Sequence, residues 1–487
     1  MVKKLLPTII ALIIAVYNSN SQNIDSSSFR LNSRYNFYSN EKNGEAILHV
    51  PQNFIYNYLE IRLLINNADS VSWKGKPGSN LLRIQFPINN ADGTCRIAAD
   101  IYARGSRSVF KASSSVRILN HKPNEVRIDR LTGGLIVNNR QFIPFGFYCY
   151  SPVYPSLPEE EAVRGFNMMS PYQKILPVTY NQRKAYMDRC AQLGMKVNYN
   201  LLSVSGGGGV GSAINGSDRK QIRELLIKEI NSFKDHPALL AWYIADEPNG
   251  TRLPPDSLLT IYKLVKETDP WHPVSVVFTA PFISALKYAD ALDIVMADPY
   301  PVPELPVTVV GNVAEQLAKA FAGRKPVWIV PQAFGGGEIW KREPTAQEIR
   351  SMTYQSIISG ARGIQYFVRQ GLNLFPKSAA TWSECGKMAV EIAEMTPWLL
   401  SDEVTIPVSS GIQNIPVKSF LHNGTLLILA VNNSNYPVDV RYSLPTHFSG
   451  KVKVLFENRF MNINGGAFSD LVPAYGSQAY LFDIKPH

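Results

Sequence analysis

The chain has 487 residues, 45% hydrophobic and 18% charged, with a formal charge of +10. It is too long for one ordinary core and too apolar for a disordered polymer, so two or three packed domains are expected. The basic excess suits an acidic partner such as a uronate or sulfated polysaccharide, with a solvated surface lacking any partner as the plainer reading; no basic run with interleaved aromatics points to nucleic acid.

The first residues have the layout of a secretory leader: Lys3 and Lys4, an apolar stretch over 5–16, then small Ser19 and Ser21 before Gln22. Residues 1–21 are expected to be removed, leaving a secreted, extracellular protein. No later apolar run reaches the ~20 residues of a membrane-spanning helix. Sequons at Asn215, Asn249, Asn423 and Asn432 predict a glycoprotein, although Asn249 lies too near the candidate site to carry a glycan. Cys95, Cys149, Cys190 and Cys385 are widely spaced and form neither a disulfide framework nor a metal-ligand pattern. No metal or organic cofactor is indicated, and Cys149 and Cys190 are expected to be unbridged.

Residues 24–130 read as short strands (46–50, 58–65, 81–86, 94–103) broken by Asn- and Asp-rich turns, the pattern of an antiparallel β-sandwich. Over 131–400 buried strands alternate with helical patterns. The strands are predicted at 142–150, 165–169, 196–201, 239–245, 273–279, 293–297, 327–330 and 363–367. The helices are predicted at 181–193, 217–234, 256–267, 313–322 and 345–359. Eight strands in this span match a (β/α)8 barrel in count and length. From 401 to 487 strands return at 426–431, 438–442, 451–456 and 478–482, predicting a second β-sandwich. The Gly206–Gly209 run reads as a loop after strand three, because no P-loop lysine follows it.

The most informative stretch is Trp242-Tyr243-Ile244-Ala245-Asp246-Glu247-Pro248. A buried strand ends in two adjacent carboxylates, which is how parallel α/β barrels present catalytic groups at their carboxyl face. These residues resemble the fourth strand of clan A glycoside hydrolases, whose acid/base glutamate sits in Asn-Glu-Pro; here Asp246 replaces the asparagine. Two further stretches are similar to family 2-like barrels: 133–146, where a sandwich hands over to strand one, and 345–367, the passage into strand eight. The resemblance implies an O-glycosidase acting on an oligo- or polysaccharide, with Glu247 as proton donor.

Glycoside hydrolysis also needs a nucleophile or base. The resemblance places that group at the end of strand seven, where the sequence reads Pro331-Gln332-Ala333-Phe334-Gly335, and an amide cannot form a glycosyl intermediate. Three alternatives are open. Asp298, in Asp298-Pro299-Tyr300-Pro301 after strand six, is preferred as a rigid carboxylate on the same face. Glu338, beyond Gly335-Gly336-Gly337, is another. The third is attack by the substrate's own acetamido group, oriented by Asp246, since Asp246-Glu247 resembles the acid pair of family 20 hexosaminidases. Tyr300 and Gln332 are candidate hydrogen-bond partners of the sugar. Tyr148, Tyr150 and Tyr172 are candidates for stacking, and Arg369 and Gln370 for polar contacts. His236 and His272 precede prolines at the amino ends of strands and read as structural. A relative that binds glycans without cleaving them is the alternative to an enzyme.

Overall fold

The computed structural model describes residues 28–88, 93–105, 108–206, 219–337, 339–369 and 378–484. The leader, Asn215, the glycines at 207–209, Glu338 and Gln370 lie outside them. Eight parallel strands close into a barrel: β1 Phe145–Tyr150, β2 Met168–Tyr172, β3 Lys196–Asn200, β4 Leu239–Asp246, β5 Val274–Phe278, β6 Ile294–Ala297, β7 Val327–Ile329 and β8 Ile364–Tyr366. Closure is made by β1 pairing with β8, Phe145 opposite Ile364. This is the predicted (β/α)8 fold, flanked by β-sheet domains at both ends of the chain.

Side chains alternate along the strands, as the pleat requires, except where the register of β4 shifts. Phe147, Cys149, Tyr199, Trp242 and Ile244 face outward into the layer beneath the helices. Tyr148, Met168, Leu240, Tyr243, Met296 and Trp328 face inward. A small polar layer crosses the interior: Asn198 on β3 donates to Gln365 on β8 (3.1 Å) and accepts from Ser275 on β5 (2.9 Å). Trp328 packs so tightly on Gly363 that a Cβ there would meet its ring at 2.5 Å.

Helices α1 Leu157–Ala162, α2 Tyr180–Gln192, α3 Arg219–Phe233, α4 Pro255–Thr268, α5 Thr308–Ala320, α6 Ala346–Ile358 and α7 Ala379–Leu399 cover the barrel. Thr345 caps α6 through a reciprocal box with Glu348, so the helix starts where the sequence predicts. The 21-residue α7 has no counterpart among the predicted helices, although Trp382, Cys385, Ala389, Ile392 and Leu399 recur at helical spacing and bury together. Strand one is also shorter than expected. Residues Arg140–Phe142 pair instead with Leu135–Val137, which pairs in turn with Val126–Ile128, in a small antiparallel sheet whose apolar side chains join the inner barrel cluster.

Before the barrel, sheets of three and five strands enclose an apolar core that includes Leu48, Ile61, Phe86 and Ile97. After it, sheets of five and two strands pack around Ile428, Tyr442, Val454 and Phe482. A crevice of about 300 Å³ between α6, α7 and this last domain is closed electrostatically by Arg350, which pairs with Glu384 and Glu391.

None of the four cysteines forms a disulfide, and all are buried. His272 is fully buried between Asp269 and the Asn124 carbonyl, and His236 meets Asp188 at 3.1 Å. Asn432 is wholly buried and donates to the carbonyls of Tyr436, Val472 and Pro473, so in the folded protein it has no nitrogen free for a glycan. Asn249 is tied likewise to Thr279 O at 2.7 Å. Asn423, exposed on a hairpin turn, is the accessible sequon among the described residues.

Candidate active site

The bulge in β4 between Tyr243 and Ala245 sets the geometry of the strand's end. It leaves Asp246 as the last strand residue and puts Glu247 just beyond, with φ +49°. That left-handed conformation costs a non-glycine residue roughly 1–2 kcal/mol. It is held by the Glu247 N–H donating to Val277 O (2.9 Å) and by Gly250 and Thr251 N–H groups donating to Glu247 O. Strained backbone maintained by its surroundings at a strand end points toward function.

Asp298 follows β6, its N–H donating to Phe278 O at 3.3 Å. Its side chain is buried at 7% exposure and stands in hydrogen-bond contact with Glu247. Burial, then the charges of Glu247 and Asp246, drive the Asp298 carboxyl well above the usual carboxylate range. Its Oδ1 finds no hydrogen-bond partner among the described residues, and a carboxyl so buried among other acids favours its protonated form. Asp246 completes the cluster. It accepts from the Tyr172 hydroxyl at 3.2 Å, and Tyr243 lies against it. Burial, with the Glu247 charge, pushes it up to about 6 against the pull of the two tyrosines.

Aromatic rings wall the acids. Tyr148 stacks on Tyr172 (5.1 Å), and Tyr150 stacks on the other part of the same ring system (5.9 Å to Tyr172). On the far side Tyr300 stacks on Phe367 (5.9 Å) and meets Phe334 and Trp340 edge-on. Tyr148, Tyr172, Tyr243 and Tyr300 are all raised well above the ordinary phenol range, first by burial and then by the neighbouring acids. They therefore remain neutral O–H donors. Asn200, at the end of β3 beside Tyr243 in register, is 1% exposed. Its Oδ1 accepts from Leu202 N (3.0 Å), which fixes the amide, and its Nδ2 finds no acceptor. Strand alternation from the inward Asn198 aims Asn200 into the barrel mouth.

Glu247, Asp246, Asp298, Tyr148, Tyr150, Tyr172 and Tyr300 are thus brought together. Two predicted site residues are not. Gln332 is fully buried, accepting from Val302 N (2.8 Å) and donating to the carbonyls of Val302 (2.9 Å) and Phe334 (3.1 Å). Its amide is spent on the loop after β6, leaving nothing for a sugar. Arg369 turns outward, with Glu161 on Nε at 2.5 Å, Glu160 beside it and the Trp382 ring beneath. Trp242, in the same strand, points away from the site and donates to Asp269 (2.8 Å). Asn200 was not foreseen; the signal was its place two residues beyond an inward position on a predicted strand. Gly335 lies under the Arg342–Glu343 backbone, where a Cβ would collide at 2.1 Å, so the loop leading to Glu338 is packed down at its base.

The fold and the clustered strand-end acids define an α/β-barrel protein with an acid-lined mouth. No protein-family profile and no curated protein matches the chain. Solved structures similar to it in fold include an uncultured Clostridium sp. beta-glucuronidase (12% identity, 74% of this chain and 68% of that one, TM-score 0.41). A family 30 endoxylanase from Clostridium papyrosolvens C71 is also similar (12%, 71% and 97%, 0.44), as is a family 2 beta-galacturonidase from Eisenbergiella tayi (14%, 75% and 72%, 0.41). These likenesses concern chain path; the chemistry rests on the strand ends.

Proposed function

We propose that the chain is an exported glycoside hydrolase in which Glu247 is the general acid. The observation that carries this reading is the cluster of Glu247, Asp298 and Asp246 carboxyl groups at the carboxyl face of the barrel, inside a wall of tyrosines. Acids at that place suit proton transfer to a leaving oxygen, and neutral phenols and flat rings suit a sugar's hydroxyls and faces. Export is supported by Lys3, Lys4 and the apolar stretch behind them.

The hydrogen-bond contact of Asp298 with Glu247 suits a supporting neighbour of the acid better than a second carboxyl at the ~5–5.5 Å of retaining or ~6.5–9.5 Å of inverting pairs. The second group then comes from one of two sources: Glu338, or a substrate acetamido group oriented by Asp246, which Tyr172 holds.

The test is turnover of a broad panel of aryl glycosides and oligosaccharides, followed by trapping. A 2-fluoro glycoside that labels the peptide containing Glu338 identifies a protein nucleophile; inhibition by a sugar thiazoline, with activity confined to 2-acetamido sugars, identifies the assisted route. Binding of oligosaccharides without turnover of any glycoside would replace the enzyme with a glycan-binding protein.

A further inference from the structure

The basic surface of this chain contrasts with its barrel mouth. Asp246, Glu247 and Asp298 act on one another, and no cation is among the groups that set the state of Asp246 or Asp298. The cations that the described residues of the surrounding loops carry engage other partners or solvent. Arg369 is bound to Glu161 and Arg342 to Glu348, while Lys174, Arg252 and Lys341 are exposed. Sites that recognise carboxylates or sulfates do so with Arg or Lys in fixed geometry, and among the described residues this mouth presents none. What it does present is a buried donor without a partner, Asn200 Nδ2, together with tyrosine hydroxyls, all suited to neutral hydroxyl or amide oxygens.

We infer that the sugar subsite at Glu247 takes neutral or amino sugars and excludes uronates and sulfated sugars, because three carboxyls converge there with no counter-cation among the described residues and with neutral donors around them. This rests on the glycosidase reading of the site. The net charge of the chain therefore describes its surface and not its substrate. Two like charges about 6 Å apart at the effective dielectric of a partly buried site oppose binding by roughly 100-fold.

Matched aryl glycosides test it: glucoside against glucuronide and galactoside against galacturonide, in both anomeric forms, alongside calorimetric binding of a neutral sugar lactam and its uronic acid counterpart. The neutral member of each pair should exceed the acidic one by roughly 100-fold in kcat/KM or affinity. In Asp246→Asn that ratio should narrow by about tenfold, whereas mere loss of packing would lower both members equally. A uronide within tenfold of its neutral partner, or a ratio unmoved by Asp246→Asn, overturns the inference while leaving the glycosidase reading intact. No turnover and no binding of any member overturns the glycosidase reading, and the inference with it.

Discussion

Glu247 and Asp298, from the ends of the fourth and sixth barrel strands, bring their carboxyl groups into direct contact. Two acids so placed cannot both ionise readily, and the buried Asp298 is the one that keeps its proton. Under the proposed function Asp298 supports Glu247 as a neutral neighbour, and does not act as a second independent charged group.

Glu247→Gln is expected to lower kcat on unactivated glycosides by ~10²–10⁴-fold, and by much less on aryl glycosides with good leaving groups. Asp298→Asn should act differently. It exchanges a carboxyl that burial and its acidic neighbours keep protonated for a neutral amide of the same shape, so kcat on unactivated glycosides should fall far less than in Glu247→Gln. An equal loss in the two variants would make Asp298 a catalytic group in its own right.

Asp246 gives a stability prediction. Its folded value of about 6 lies above the ordinary 3.8, so the native state binds the proton more tightly than the unfolded chain. The advantage is full below about pH 4 and is lost as pH rises through about 6. Asp246→Asn removes the cost of burying that charge and retains an acceptor for Tyr172. With allowance for partial solvent access, it should stabilise the protein by roughly 1–2 kcal/mol at pH 7 and by almost nothing at pH 4. Thermal melts across that range measure it, and equal shifts at both pH values would contradict the assignment.

Gln332 shows how an amide at a catalytic-looking position can be structural. Gln332→Glu sets a carboxylate against two backbone carbonyls in a site with no exposure, so it should not create a nucleophile. The expected outcome is a loss of ~3–5 kcal/mol in stability, as for an uncompensated buried charge. A stable Gln332→Glu protein that gains a trappable glycosyl intermediate would refute this.

The barrel was legible because its strands are apolar runs at regular spacing, and the position of Asp246 and Glu247 at a strand's carboxyl end was legible because the apolar run stops at them. Orientation was harder to read. The bulge at Tyr243–Ala245 decides which way each residue at the end of β4 points, and nothing in the local sequence announces it. Arg369 and Gln332 follow barrel strands just as the true wall residues do, but Glu161 claims one and the Val302 backbone the other, each from far along the chain. Helix α7 had readable periodicity, and its place between barrel and C-terminal domain explains why its apolar stripe is broad.

Asn200 provides the sharpest separation of binding from folding. Its Oδ1 supports one turn through Leu202 N, while its Nδ2 is buried without an acceptor. An unsatisfied buried donor costs roughly 1–3 kcal/mol, and a typical hydrogen bond returns about 1 kcal/mol. In Asn200→Ala the two effects largely cancel, so stability of the free protein should change by less than about 1 kcal/mol. Substrate loses a preoriented donor, and kcat/KM should fall by about 10–100-fold, chiefly through KM. Asn200→Asp keeps the acceptor for Leu202 but adds a fourth carboxylate to the mouth, and should be worse than alanine for every substrate. If Asn200→Ala melts far earlier than the parent protein while its kcat/KM at low temperature is unchanged, the residue serves the fold alone.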